Sequence, residues 1–183
     1  LKLDATREGV WRRVNRPHGT LRLSSVLDGV MDFAREYEGE LTTETMLVEG
    51  INDSDELVEE LSELLGRLQP SAAYLAIPTR PPAEPSVRPP GEEVIHRAYQ
   101  AMASRVDRVE YLLGYEGNAF ASTGDFESDL LSITAVHPMR ADAVDDLLSR
   151  SGRDWDAVWS LINEGRLLEV DYGNRKFYMR KLG

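Results

Sequence analysis

The side chains able to do chemistry in this chain are carboxylates, amides, guanidinium groups and a few amines. There is no cysteine among its 183 residues, which excludes disulfides and any thiolate-held zinc or iron–sulfur centre within the chain. The three histidines, His18, His96 and His137, are too far apart in sequence to show metal-ligand spacing. What remains is a set of short polar clusters. Lys2 and Asp4 are two residues apart, so in a strand they share a face. Glu44 and Met46 do the same within a later Thr-rich run. A buried glutamate needs a partner because a lone buried charge is costly, and Lys2 is the natural partner for Glu44. A loop cluster Asn15-Arg16-Pro17-His18, a turn Glu49-Gly50-Ile51-Asn52-Asp53 and the run Pro78-Thr79-Arg80-Pro81-Pro82 complete the set.

These clusters need a scaffold to hold them. Leu1-Lys2-Leu3-Asp4 alternates apolar and charged residues, the pattern of a half-buried strand. The next residues read as a loop, since Pro17 disfavours helix through Arg16. Ser24 or Ser25 can cap a helix with Val26, Leu27, Val30, Met31, Phe33 and Ala34 on one face, stopped by Gly39. Residues 40–48 read as a strand rich in Thr and apolar residues. Ser54 caps a second helix striped by Leu57, Val58, Leu61, Leu64, Leu65 and Leu68, and Pro70 breaks it. The almost uncharged run Ala72 to Ile77 suits a strand buried on both faces. Residues 1–78 therefore read strand–helix–strand–helix–strand, at lengths that fit right-handed parallel crossovers. The Pro-rich stretch 79–90 is either a rigid connector or a loop over the carboxyl end of the preceding strand, where ligands collect in such folds. A helix over 91–106 and a short strand over 109–113 follow, and a Gly-rich linker over 114–124 marks a boundary.

Beyond the linker the pattern changes. Helices over 126–136, 140–149 and 154–164 precede two strand-like runs, 167–172 and 175–180, that flank Gly173-Asn174. Two such runs around a Gly-Asn pair read as a β-hairpin, and three helices before a hairpin make a winged-helix arrangement. Charge speaks against nucleic acid as its partner. The third helix carries Asp154, Asp156 and Glu164, and residues 125–164 hold nine acids against Arg140, Arg150 and Arg153. The hairpin is the exception, with Arg166, Arg175, Lys176, Arg180 and Lys181 at its basic end. The whole chain has a formal net charge of −11, which argues against general affinity for phosphate backbones. Hydrophobic residues make up 42% of the chain, enough for a core, and no apolar run approaches the length of a membrane span.

Lys2-Leu3-Asp4, Asn15-Arg16-Pro17-His18, Met46 to Asp53 and Pro78 to Pro82, in this order and spacing, resemble the carboxyl half of a radical S-adenosylmethionine (radical SAM) enzyme barrel. The resemblance spans residues 1–122 and is nearest to the Fe–S oxidoreductases that include wyosine-type tRNA-modifying enzymes and the activases. It implies an α/β fold: half of a partial βα barrel with parallel strands over 1–122, then a small winged-helix-like α+β domain over 123–183. It also implies a fragment, with the missing N-terminal half of the barrel as its partner and residue 1 in the fourth strand. The parent would be a cytoplasmic oxidoreductase that uses a 4Fe–4S cluster to cleave S-adenosylmethionine reductively to a 5′-deoxyadenosyl radical, acting on a substrate such as a protein or tRNA. The family's three-cysteine motif lies earlier in the barrel, so this chain alone should hold no cluster, no metal and no radical.

By the same resemblance Lys2, Asp4, Glu44, Met46, Val48, Gly50, Ile51, Thr79 and Arg80 would contact S-adenosylmethionine, and Asn15, Arg16 and His18 would face the substrate. Lys2 departs from the Ser common at its position, and Arg80 stands where the activases have a His. For Lys2, Asp4 and Arg80 a structural ion pair is the competing reading. Two other functions compete with the enzyme. One is a non-enzymatic adaptor or regulator, whose open sheet edge at Leu1 would be covered by a dimer partner. The other is a tRNA-binding fragment with the basic hairpin as its footprint.

Overall fold

The computed structural model describes residues 1–112 and 123–181. They fall into two compact units, Leu1–Pro78 with Ser86–Gly114, and Thr79–Pro85 with Tyr115–Gly183. The predicted strand end at Leu113 and the linker residues 114–122 lie outside the described residues.

The first unit is a parallel α/β sheet. In chain order it holds α1 (Glu8–Asn15), α2 (Leu23–Glu36), β1 (Thr42–Met46), α3 (Asp55–Leu68), β2 (Ala72–Ala76), α4 (Glu92–Ala103) and β3 (Val109–Leu112). The strands run in the order β1-β2-β3, all parallel, with Met46 opposite Ala76 and Ala76 opposite Leu112. Residues 1–3 extend this sheet beyond β1. Lys2 makes a parallel bridge with Glu44, with Leu3 N donating to Glu44 O at 2.9 Å and Glu44 N to Leu1 O at 2.8 Å.

One face of the sheet carries the core. Leu3, Ala73 and Leu75 pack against Val58, Leu61, Leu64, Leu65 and Leu68 of α3 and against Ile95, Ala98 and Met102 of α4. The apolar stripe read from the sequence of α3 is the stripe that is buried. Ser54 caps α3 as expected, its Oγ accepting from Leu57 N at 3.4 Å.

Two readings of the first unit need correction. Residues 8–15 are not loop but the helix α1, and Asn15 is its last residue, with Arg16 turning out of it at φ 46°. The cap of α2 is also not a serine of its own. The helix starts at Leu23, whose N–H is met at 2.8 Å by the Glu8 carboxylate of α1. That bond, followed by the Arg12 ion pair, holds the Glu8 carboxyl below its ordinary range.

The second unit contains α5 (Phe126–Thr134), β4 (Met139–Arg140), α6 (Ala141–Ser151), α7 (Trp155–Asn163), β5 (Leu167–Tyr172) and β6 (Arg175–Arg180). Its antiparallel sheet has the order β4-β6-β5. The hairpin closes through Gly173 at φ 56° and Asn174 at φ 58°, the paired positive φ angles of a tight hairpin turn. Phe126, Leu130, Met139, Val144, Leu147, Val158, Leu161, Leu167 and Tyr178 form a core of their own. Among the described residues no helix is long and apolar enough to cross a membrane.

The hairpin sheet contains a testable ion pair. Lys176 and then the Tyr178 hydroxyl hold the Glu169 carboxyl below its ordinary pKa of 4.5. Burial, and then the same bond, pushes the Tyr178 hydroxyl up. A carboxyl whose folded pKa is depressed adds stability above its unfolded pKa and loses it as pH falls through the folded value. Glu169→Gln should therefore melt earlier than the wild type at pH 7, and the gap should close as the pH falls below the ordinary carboxylate range. Thermal melts over that range check this; a gap of constant size would mean that Glu169 contributes nothing through its charge.

Candidate functional site

The polar clusters of the first unit converge at the carboxyl end of the parallel sheet. Asp4 is their centre. Its side chain has 0% of its surface exposed. Asp4 Oδ1 accepts from Met46 N at 2.7 Å and lies 3.3 Å from Lys2 Nζ, while Oδ2 accepts from Asn15 Nδ2 at 2.6 Å. Lys2 also reaches Glu44 Oε1 at 2.9 Å, so one ammonium joins two carboxylates across neighbouring strands. The expected Lys2–Glu44 partnership is thus formed, but its reason changes: Glu44 is 42% exposed rather than buried. Residues in register on this open face form a row, with Lys2 beside Glu44, Glu44 beside Tyr74 and Tyr74 beside Glu110.

The turn after β1 is tied to Asp4 by a residue absent from the predicted set. Asn52 is 3% exposed. Its Nδ2 donates to Asp4 O at 2.9 Å and to Met46 O at 2.8 Å, and its Oδ1 accepts from Val48 N at 2.8 Å. Past the Lys2–Glu44 bridge the side-chain amide of Asn52 ties backbone groups of both segments together. Gly50 makes the turn possible at φ 65°, a conformation unfavourable for residues with a Cβ. Asp53 Oδ1 accepts from Gly50 N at 2.8 Å. The sequence signal for Asn52 was present, an amide between a turn glycine and a helix cap, but its partners are distant in the chain.

The other predicted residues are placed as follows. Val48 is buried and Ile51 half-buried in the same turn. Arg13 of α1 reaches Gly50 O at 3.4 Å. Part of the Pro-rich stretch meets this end of the sheet, where Glu49 N donates to Arg88 O at 3.0 Å. Arg16 and His18 are exposed after α1, with His18 Nδ1 2.9 Å from Thr20 Oγ1. Thr79 and Arg80 are grouped with the second unit, where Arg80 Nη1 lies 3.1 Å from His137 Nδ1. In that unit two of the basic residues of the hairpin region are answered by acids. Arg166 pairs with Glu127 at 2.5 Å and Glu164 at 3.1 Å, and Lys176 pairs with Glu169.

The chain is therefore a parallel α/β unit with a polar cluster at its strand ends, accompanied by a small α+β unit. No family model matches it. It is similar to a UPF0026 protein of Methanocaldococcus jannaschii, 37% identical over 183 residues, a match that covers 99% of this chain and 57% of that protein. The chain thus spans a little over half the length of that relative. Among solved structures it is similar to a domain of pyruvate-formate lyase-activating enzyme from Bacteroides vulgatus, at 16% identity over 62% of this chain and 65% of that chain with a TM-score of 0.45. A radical SAM methyltransferase from Sphaerobacter thermophilus aligns at 26% identity over 62% of this chain and 33% of that chain, with a TM-score of 0.46.

Proposed function

We propose that this chain is the carboxyl-terminal part of the partial βα barrel of a radical SAM oxidoreductase, with the second unit a winged-helix-like module appended to it. The observation that carries the reading is the sidedness of the parallel sheet. The core and the helices α3 and α4 lie on the face of Leu3, Ala73 and Leu75, and the opposite face presents the row Lys2, Glu44, Tyr74 and Glu110. Parallel sheets are ordinarily apolar on both faces because helices cover both. A polar row on one face suits the lumen of a barrel, with the reactive groups at the carboxyl ends of the strands. The remaining strands of that barrel would pair along residues 1–4. The order of the four motifs supports the same reading, and the helix–strand–helix–helix–hairpin order of the second unit supports the winged-helix assignment.

S-adenosylmethionine fits the donors and acceptors at this end. Its hydroxyls and ammonium group are donors, and the oxygens of Glu44, 42% exposed on the open face, are acceptors. Lys2, itself anchored by the buried Asp4, would hold Glu44 in place, and Val48, Gly50 and Ile51 would form the wall against the adenine. When bound, this cofactor supplies the adenosyl group that reacts. A 4Fe–4S cluster does not fit the chain, which has no cysteine. Among the described residues no group of His, Asp and Glu could hold a metal. Cluster ligands in the proposed protein therefore lie on other residues, and no step through the cluster is assigned to these.

Contact with tRNA is the weaker reading, because Arg166 and Lys176 are already engaged by carboxylates. The protein from its complete reading frame, reconstituted anaerobically with iron and sulfide and then reduced, should release 5′-deoxyadenosine from S-adenosylmethionine. Asp4→Ala should lower that release by about 100-fold, the scale of a misplaced reactive group. A reading frame that encodes no Cys-x-x-x-Cys-x-x-Cys, or a reduced protein that releases no 5′-deoxyadenosine, would sink the proposal.

A further inference from the structure

We propose that the exposed face of α7 is a docking surface for a basic segment of a partner protein, with an arginine of that segment stacked on Trp159 and paired with Asp156. The other side of this helix fills the core of the second unit, where Val158 is 0% and Leu161 2% exposed. Trp159 is 45% exposed, so a polar residue there would leave that core as it is. A tryptophan held in water keeps apolar surface wet, and a ring so placed is the usual anchor of a protein interface. Trp155 lies four residues earlier on the same face, with the two ring centres 5.8 Å apart. Trp155 is itself fixed. Its ring centre is 5.6 Å from that of Tyr178, and its Nε1 donates to Asp145 Oδ1 at 3.0 Å. Trp159 therefore rests on a rigid aromatic base. Ile162, half-buried, continues the strip to about two turns of helix, a length that a peptide segment can follow.

The charge around the rings selects the partner. Asp156 lies three residues before Trp159, which puts the two side chains side by side on the helix surface. Among the described residues the Asp156 carboxylate has no hydrogen-bond or ion-pair partner. Asp145, exposed on α6, adds a second negative charge at the Trp155 indole. Of the nearby cations, Lys176 is paired with Glu169, whose other oxygen accepts from the Tyr178 hydroxyl. Arg153 lines a cavity with Ala157, Ser160 and Leu161, on the other side of α7. An open indole beside a free carboxylate attracts a guanidinium twice, through the ring quadrupole and through the charge. The first half of that pairing occurs within the first unit, where Arg12 Cζ lies 5.8 Å from the Trp11 ring centre. The phosphates of a nucleic acid would instead meet Asp145 and Asp156, an unfavourable approach.

The test uses the protein from its complete reading frame and a fluorescent peptide of repeating arginine, leucine and serine. Binding is read by anisotropy for wild type, Trp159→Ala, Asp156→Asn and Glu63→Gln. Glu63 is an exposed acid of α3, so its variant changes net charge as Asp156→Asn does, away from the rings. Trp159→Ala should weaken binding about tenfold, the scale of a lost interface anchor. Asp156→Asn should weaken it about threefold, the scale of one exposed ion pair, and Glu63→Gln should leave it unchanged. A peptide with citrulline in place of each arginine should bind about tenfold more weakly than the basic one. Circular dichroism should show the folded spectrum for all variants, since each replaced side chain is exposed. Wild type that does not bind the basic peptide would overturn the proposal, as would equal losses in Asp156→Asn and Glu63→Gln, which would mean attraction by net charge alone. Unchanged affinity in Trp159→Ala would do the same. So would tRNA that binds the wild type and loses affinity in Trp159→Ala, because the face would then take nucleic acid.

Discussion

Asn52→Ala should destabilise the first unit by about 3 kcal/mol, because a buried polar group that loses its partner costs about 1–3 kcal/mol. Three backbone groups lose the same partner at once: Asp4 O, Met46 O and Val48 N. The losses will not add in full, since water can enter at the end of the sheet and satisfy part of them. Asn52→Asp separates this account from simple loss of volume. It keeps an acceptor for Val48 N but turns two donated bonds into oxygen–oxygen contacts, so it should cost at least as much as alanine. Urea unfolding followed by far-ultraviolet circular dichroism gives both values, and a loss below about 0.5 kcal/mol for alanine, the range of ordinary surface changes, would show that Asn52 does not hold the turn.

What could be read from the sequence was what depends on local pattern. The α3 stripe, the Ser54 cap, the strand at 72–76 and the hairpin about Gly173-Asn174 each carry their signal within a few residues. What could not be read depends on distant partners. Helix α1 has only Val10, Trp11 and Val14 as its apolar stripe, set among charges, and no Ser, Thr, Asp or Asn at its cap. Its stability comes from packing and from exchange with α2. The start of α2 was misplaced for the same reason, since the group that caps it belongs to α1. Strand β4 is two residues long, too short to have a period. At the site, the shared face of Lys2 and Asp4 followed from strand geometry, and the link from Lys2 to Glu44 from charge. The burial of Asp4 did not follow, because it is made by α1 and by the turn after β1 together. Asn52 was legible as part of a turn and illegible as the joint between two strands.

Leu147→Ala should cost the second unit about 3 kcal/mol, within the 2–5 kcal/mol typical of truncating a fully buried leucine. Leu147 is 0% exposed and belongs to the core that includes Leu130, Met139, Val144, Val158, Leu161 and Tyr178. Truncation removes apolar contacts from that core and leaves a cavity that two short helices and a small sheet can only partly close. Leu168→Ala supplies the comparison, because the same atoms are removed from a side chain that is 42% exposed. There the cost should stay near or below about 1 kcal/mol, since little apolar surface is returned to water. Hydrogen exchange at the amides of α5 through β6 reads both effects directly. Leu147→Ala should lower protection at Leu130, Val144 and Tyr178 by about 100-fold, the free-energy loss expressed as an opening constant. If the two substitutions have equal effects, the cluster around Leu147 is not the core that folds this unit, and the proposal that the second unit is a module with a hydrophobic centre of its own fails with it.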